Sequence, residues 1–308
     1  MVAPQKILVL GSNGLVGSSC VRKFSNLDSY EVIKSTRHDT NLFNFDETKK
    51  LIKDKKPDIL INAAAKVGGI HANNTQRVEF LIENLKINTN VLEACLDYSN
   101  ITIINLGSSC IYPLNAKDPI KESNFMEGKL EPTNSPYAMA KLTAIELGRS
   151  LALQYGHKVI NLMPTNLYGP NDYFSEMDSH VIPSLIHKIH LAKNNNESEY
   201  SIWGSGDPLR EFLYVDDLAK SIQTVIEKNV SEDLINVGSS EEISIKELAI
   251  LIKKVVGFEG ELNFDLSKPD GNPRKLLDSS IIKKYGWVPD TSLEDGLVKT
   301  YEWYKQNV

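Results

Sequence analysis

The apolar run Lys6 to Leu10 passes directly into Gly11-Ser-Asn-Gly14-Leu-Val-Gly17 and then into a helical stretch ending near Asn26. A continuous apolar run of that length suits a strand buried on both faces. In the G-x-x-G-x-x-G that follows, the first glycine permits a tight turn and the middle one lets a pyrophosphate approach the backbone. The third lets the helix pack closely on the strand, with the helix N-terminus facing the anion. A glycine triplet alone also suits an ordinary turn. Its place after the first strand favours dinucleotide binding.

The alternation then repeats. Strands are expected at Glu31–Thr36, Asp58–Ala65, Ile101–Gly107 and Lys158–Met163, with helices at Asp46–Lys55, Phe80–Tyr98 and Pro136–Tyr155. Short apolar strands alternating with helices predict the α/β class, here a Rossmann-type doubly wound parallel sheet. After Pro164 the pattern loosens, with polar loops at Asp172–Ser179 and Asn194–Asn196. Helices are expected again at Asp216–Lys228, Ser244–Val256 and Leu293–Gln306, and a further sheet strand at Leu234–Val237. The expected organisation is a dinucleotide-binding domain over 1–165, to which the chain returns around 215–240. Residues 166–308 form mainly a smaller C-terminal substrate lobe over the carboxyl ends of the strands, where ligands of open α/β sheets bind.

A formal charge of -6 argues against general attraction to nucleic acid or anionic membrane. No apolar run approaches the length of a membrane span, and the N-terminus lacks the pattern of a signal peptide, so a cytoplasmic protein is expected. Cys20, Cys95 and Cys110 form neither a disulfide framework nor a metal-type spacing, and no metal is expected.

Ser108-Ser-Cys110 closes the fourth strand, and Tyr137-Ala-Met-Ala-Lys141 follows on a helix. Tyr and Lys at that spacing share one helix face. A phenol with a pKa near 10 exchanges protons poorly at neutral pH unless a cation stabilises its phenolate. The Ser108 hydroxyl can hold a carbonyl oxygen beside such a Tyr, and the Cys110 thiol adds a second acid–base group. The order of these motifs puts Ser108, Tyr137 and Lys141 at the carboxyl end of the sheet, where nicotinamide would lie. At the end of the second strand, Lys34-Ser35-Thr36-Arg37-His38 offers no carboxylate for a ribose hydroxyl before Asp39. Arg37 suits a 2′-phosphate, so NADP(H) is expected. The alternative for Arg37 is a solvated basic loop residue.

Further segments carry the pattern over nearly the whole chain: Ala63–Ile70, Gly107–Pro113, Glu131–Asn134, Met163–Pro170, Ser179–Pro183, Trp203–Gly206, Arg210–Leu213, Lys268–Gly271 and Pro273–Asp278. With them the chain resembles the extended short-chain dehydrogenase/reductase family. Within that family it is similar to enzymes that convert GDP-4-keto-6-deoxy-D-mannose to GDP-L-fucose. The resemblance implies epimerisation at C3 and C5, followed by NADPH-dependent reduction of the C4 ketone. Carbons beside a ketone are acidic because the anion delocalises onto oxygen, and inversion needs one group to remove a proton and another to return it to the opposite face. By the resemblance Cys110 is the base and His180 the acid. Ser108 and Tyr137 hold the C4 oxygen, Tyr137 protonates it during reduction, and Lys141 lowers the Tyr137 pKa and holds the nicotinamide ribose.

The resemblance also implies cofactor contacts from Gly11, Ser12, Asn13, Gly14, Leu15, Val16 and Gly17, and from Arg37, Asn41 and Leu42. Ala63, Ala64, Ala65, Leu106 and Gly107 join them, as do Lys141, Pro164, Thr165, Asn166, Leu167 and His180. For the nucleotide sugar it implies Ser108, Lys188, Trp203, Arg210, Asp270 and Lys275, with Arg274 a weaker candidate. A homodimer through helices beside the sheet is implied as well. A nucleotide-sugar 4-epimerase remains open, although it needs no Cys110/His180 pair. So does a 4,6-dehydratase, which normally carries Asp-Glu after a Thr where this chain has Ser109-Cys110. A non-catalytic dinucleotide-binding redox sensor would need only the glycine loop. Cys20 and Cys95, inside expected helices, read as core residues.

Overall fold

Ile7, Leu8, Val9 and Leu10 are fully buried, and the strand they form is paired on both sides. The computed structural model describes residues 3–176, 178–268, 270 and 272–308; Pro269 and Gly271 of the Lys268–Gly271 segment, and Met177 of the expected polar loop, lie outside them. The chain begins with β1 (Gln5–Leu10), α1 (Leu15–Phe24), β2 (Tyr30–Ser35), α2 (Phe45–Lys55) and β3 (Ile59–Asn62). It continues with α3 (Ile70–Thr75), α4 (Arg77–Ala94), β4 (Thr102–Leu106), α5 (Ser135–Tyr155) and β5 (Lys158–Pro164). Then come β6 (Asn166–Tyr168), α6 (Val181–Asn194), β7 (Glu199–Trp203), β8 (Leu209–Tyr214), α7 (Val215–Glu227) and β9 (Leu234–Val237). Last are β10 (Glu242–Ser244), α8 (Ile245–Val256), β11 (Glu261–Asp265), α9 (Ser280–Lys284) and α10 (Leu293–Asn307).

The main sheet has the order β2-β1-β3-β4-β5-β9, parallel throughout. One face packs on α1 and α7 through Ile7, Val9, Phe24, Leu218 and Ile222, and the other on α2, α4 and α5 through Leu8, Leu10, Ile52, Val91 and Leu151. Helices on both faces of a parallel sheet make it the doubly wound class. The strand order reverses between β1 and β3, so the crevice at their carboxyl ends is the place such a fold offers a ligand. After leaving the sheet the chain builds a second apolar cluster from α6, α8 and α10, with Ile186, Leu248 and Tyr301 among its members. That cluster carries a small sheet, β10-β8-β6, and the pair β11-β7.

Local chemistry explains the boundaries. Pro136 lies in the first turn of α5, and Gly156 ends it in the left-handed region at φ 73°. The Ser244 and Glu247 side chains form a reciprocal capping box at the start of α8. The third strand stops at Asn62, short of the expected Ala65. There the glycine loop crosses: Ala63 N donates to Leu10 O, and a Cβ on Gly11 would stand 2.9 Å from Ala64 Cα. α6 lies where no helix was expected. No helix among the described residues is long and apolar enough to cross a membrane.

Candidate active site

The glycine loop fits a diphosphate on two counts. A Cβ on Gly17 would meet Gly11 O at 2.1 Å, so this glycine is required by packing, whereas one on Gly14 would touch only Gly11 O at an ordinary 3.5 Å. The space over Gly14 is therefore left open by the protein itself. Among the described residues the N-terminus of α1 has no side-chain cap, and the buried Ser12 Oγ has no hydrogen-bond partner. Uncapped N–H groups and an unpaired hydroxyl are donors waiting for an anion. Asn13 is exposed beside them, and Leu15 and Val16 supply the first turn.

At the end of β2, the Asp39 carboxylate accepts from Thr36 N at 2.8 Å and Thr36 Oγ1 at 2.7 Å. Those bonds hold its pKa below the usual carboxylate value and keep it within its own turn. Arg37 stands exposed next to it, and that arrangement suits a 2′-phosphate better than a bare ribose. Asn41 is tied by its N–H to Glu47, and Leu42 packs into the core while its carbonyl accepts from Asn90. Ala63, Ala64 and Ala65 continue β3 beneath the loop, with Leu106 and Gly107 at the end of β4. Beyond them, β5 ends at Pro164. Thr165 Oγ1 and Asn166 Nδ2 both donate to Glu211 O, at 3.2 and 2.9 Å, and Leu167 joins the core.

Ser108 adopts extended backbone and caps the short 3-10 turn Ser109–Ile111, its Oγ accepting from Cys110 N at 3.3 Å. Cys110 is 7 % exposed. Burial pushes its thiol pKa up, while Lys275, the Ser108 hydroxyl and Lys141 pull it down. One turn of α5 brings Lys141 Nζ to 5.7 Å from the Tyr137 ring centroid, and Phe80 meets that ring edge-on. Lys141 Nζ donates to Leu106 O at 2.6 Å, and burial lowers its pKa to about 8 against the opposing effect of Cys110.

Burial, and then the neighbouring Cys110, push the Tyr137 hydroxyl up. The ammonium sits under the ring and is engaged with a carbonyl, so desolvation of the phenol wins.

Lys275, expected among the sugar contacts, lies in this cluster. Burial lowers its pKa; Cys110 raises it, Arg210 lowers it, and Glu131 and Asp118 raise it. Glu131 itself accepts from Thr133 N, Thr133 Oγ1 and Asn134 N, which fixes the entry to α5 just ahead of Tyr137. His180 is the N-cap residue of α6. The residue is exposed in part, yet burial by the surrounding protein holds its imidazole pKa below the ordinary 6.5.

Trp203, 65 % exposed at the end of β7, has Lys188 Nζ 5.9 Å and Lys268 Nζ 5.5 Å from its ring. Two cations beside an open aromatic face can take a diphosphate and a flat base. Lys268 escaped the sequence reading, although it sits in a segment that reading singled out. Burial lowers the pKa of both Lys188 and Arg210, and Arg210 Nη1 donates to Leu209 O. The Asp270 carboxylate accepts from Ser205 N at 2.9 Å and Ser205 Oγ at 2.8 Å, so it braces the turn after Trp203. Arg274 is spent on a bidentate pair with Glu242. A cavity of about 620 Å³ between β8, β10 and the approach to α10 is lined by Glu242 but by none of the expected catalytic, cofactor or sugar residues.

The sequence over residues 7–238 matches the model of the NAD dependent epimerase/dehydratase family. GDP-L-fucose synthase 1 of Arabidopsis thaliana is 46 % identical over 98 % of this chain and 94 % of its own. GDP-L-fucose synthase of Escherichia coli strain K12 is 42 % identical over 99 % of this chain and 98 % of its own. Among solved structures, a GDP-L-fucose synthetase from Naegleria fowleri bound to NADP superposes with a TM-score of 0.90 at 30 % identity, covering 100 % of this chain and 96 % of that one.

Proposed function

The chain belongs to the NAD dependent epimerase/dehydratase family, and from that premise we propose that it converts GDP-4-keto-6-deoxy-D-mannose to GDP-L-fucose with NADPH. The observation that carries this reading is the buried thiol of Cys110 in one pocket with Ser108, Tyr137, Lys141 and Lys275. A nucleotide-sugar 4-epimerase needs no acid–base group at that position. Residues 1–165 with α7 and β9 act as the cofactor domain, and the cluster built on α6, α8 and α10 acts as the substrate lobe.

Cys110 takes the proton from C3 or C5 as thiolate, and His180 returns one to the opposite face. A thiol and an imidazole suit this exchange because both titrate within reach of neutral pH. Ser108 and Tyr137 donate to the C4 oxygen and stabilise the enolate while it exists. Bound NADPH supplies the hydride for C4. Tyr137 then gives its proton to the C4 oxygen, and its raised pKa keeps that proton in place until the oxygen needs it. Lys141 stabilises the phenolate left behind and hydrogen-bonds the nicotinamide ribose. The glycine loop and Arg37 hold the diphosphate and the 2′-phosphate. Lys188, Arg210 and Trp203 receive the GDP end, on a turn braced by Asp270.

Purified protein given the keto sugar and NADPH is expected to lose absorbance at the reduced nicotinamide band and to yield GDP-L-fucose. NADH in place of NADPH should turn over more slowly, as the position of Arg37 requires. Folded protein that leaves NADPH unoxidised would reject the assignment.

A reaction that relies on a free thiol and on NADPH fits the reducing cytoplasm. Val78 and Ile82 of α4 and Met139 of α5 are exposed, and these two helices pack against each other beside the sheet. That apolar face is where a second copy would dock to form a homodimer. The mass in solution should be that of two chains, and a stable single-chain mass would reject the dimer.

A further inference from the structure

The segment Lys66-Val-Gly68-Gly69-Ile-His71, which links β3 to α3, has no part in the chemistry above. It is nevertheless pinned from both sides. Asn84 of α4, itself buried, accepts from Lys66 N and donates to Lys66 O, both at 3.0 Å. Asn73 Nδ2 donates to Gly68 O at 2.7 Å and Gly69 O at 3.0 Å. A loop held this firmly has a fixed face, and that face meets the residues just before His180. Gly69 N donates to Asp178 O at 2.7 Å, and His71 Nδ1 lies 3.1 Å from Asp178 Oδ1.

The fit leaves no room for a side chain. A Cβ on Gly69 would stand 2.5 Å from Ser179 O, and one on Gly68 would stand 3.0 Å from Ala72 Cβ and 3.1 Å from Phe80 Cζ. The atom facing Gly69 is backbone, so it cannot swing aside. Phe80, which packs over Gly68, also meets the Tyr137 ring edge-on. The same loop therefore touches the support of the hydroxyl on one side and the approach to the imidazole on the other.

We propose that the Lys66–His71 loop is the seat of His180, with Gly69 the positioning residue that fixes where the imidazole stands relative to Tyr137 and Cys110. This rests on the reading of His180 as the acid of the inversions. An acid that must protonate one face of an enolate works only within hydrogen-bond reach, and a displacement of about 1 Å can cost roughly 10²-fold in rate. An added methyl at Gly69 forces Ser179 to move by nearly that distance, since ordinary contact begins at 3.4 Å.

The test compares the full-length protein with its Gly69→Ala and His71→Ala variants by two measurements. The first is solvent-deuterium uptake at C3 and C5 of the keto sugar, set against NADP⁺ reduction by GDP-L-fucose, which needs hydride transfer but no inversion. Gly69→Ala should slow deuterium uptake about 10–100-fold and leave the reverse hydride transfer within a few-fold of wild type. The second is the titration of the His180 ring followed by NMR without substrate. Its midpoint, held below 6.5 in the wild type, should rise in Gly69→Ala as the seat opens.

His71→Ala removes only an exposed contact and should move both readouts the same way by less, so the idea stays testable if Gly69→Ala folds poorly. Equal loss of deuterium uptake and hydride transfer would mark a merely structural loop and overturn the proposal. An unmoved His180 midpoint in the variants would overturn it too. A wild-type protein that neither exchanges nor oxidises NADPH rejects the functional reading itself. A working wild type matched by Gly69→Ala rejects only the seat.

Discussion

A Cys110→Ser protein is expected to incorporate solvent deuterium at C3 and C5 about 10²–10⁴-fold more slowly than wild type, with NADPH binding unchanged. The size of the effect follows from the acid–base chemistry of the two side chains. The serine hydroxyl fills nearly the same space but does not ionise in water near neutrality, so it offers no base. The thiol does so within reach, even though its burial raises the pKa, because Lys275, Ser108 and Lys141 all favour the thiolate. The form of the pH dependence is fixed by the same balance. The raised pKa leaves the thiol mostly protonated near neutrality, and His180, held below 6.5, is mostly unprotonated there. As pH rises the gain in thiolate offsets the loss of imidazolium, so wild-type exchange should stay nearly level between the two pKa values. The Ser variant should lie far below that level throughout. Cys20 and Cys95 provide the contrast: burial pushes each to about 12, and at Cys20 the pull of Arg22 is opposed by Asp216. Unchanged labelling in the variant would show that another group removes these protons.

How much of this site could be read from the sequence depends on how local its determinants are. The glycine loop, the Ser108 turn and the Tyr137–Lys141 pair are each written within a few consecutive residues, beside apolar runs long enough to identify strands. Leu234–Val237, an apolar tetrad, was legible as the last sheet strand for the same reason. β6 and β10 have three residues each, too few to show a period of two, and they exist because β8 pairs with both. α6 is a different case. Ile182, Leu185, Ile186 and Ile189 carry the helical spacing and are all buried, so the signal was present between two polar stretches and went unread.

The placement of Lys275 was beyond any local pattern. It reaches Cys110 because the segment ahead of α9 is strapped across the cleft. Ile120 N donates to Leu276 O, Asp278 N to Ile120 O, and Leu277 N to the buried Glu211 carboxylate. Contacts between such distant parts of the chain belong to tertiary structure. Lys141 teaches the complementary point. Its spacing from Tyr137 correctly put both on one face, but spacing does not report that the ammonium is spent on Leu106 O or that the phenol is desolvated.

That distinction sets the second large effect. Tyr137→Phe should lower the rate of NADPH oxidation by about 10²–10⁴-fold, while deuterium exchange at C3 and C5 falls by a smaller factor. Hydride arriving at C4 creates an alkoxide that must be protonated, and the Tyr137 hydroxyl is the donor placed to do so. Its raised pKa guarantees that it carries the proton at neutral pH. During exchange, by contrast, the enolate oxygen needs only stabilisation, which Ser108 continues to supply when the Tyr137 hydroxyl is gone. Lys141 adds a pH signature to the same step. Its ammonium, with a pKa lowered to about 8, loses its charge as pH rises through that value. The phenolate left by proton donation then loses its cation, so wild-type reduction should weaken on the alkaline side while exchange stays nearly level. A level exchange profile beside an alkaline fall in reduction would fit a thiolate base and a phenol acid sharing one pocket. Parallel profiles, or normal NADPH turnover by the Phe variant, would remove Tyr137 from the reduction.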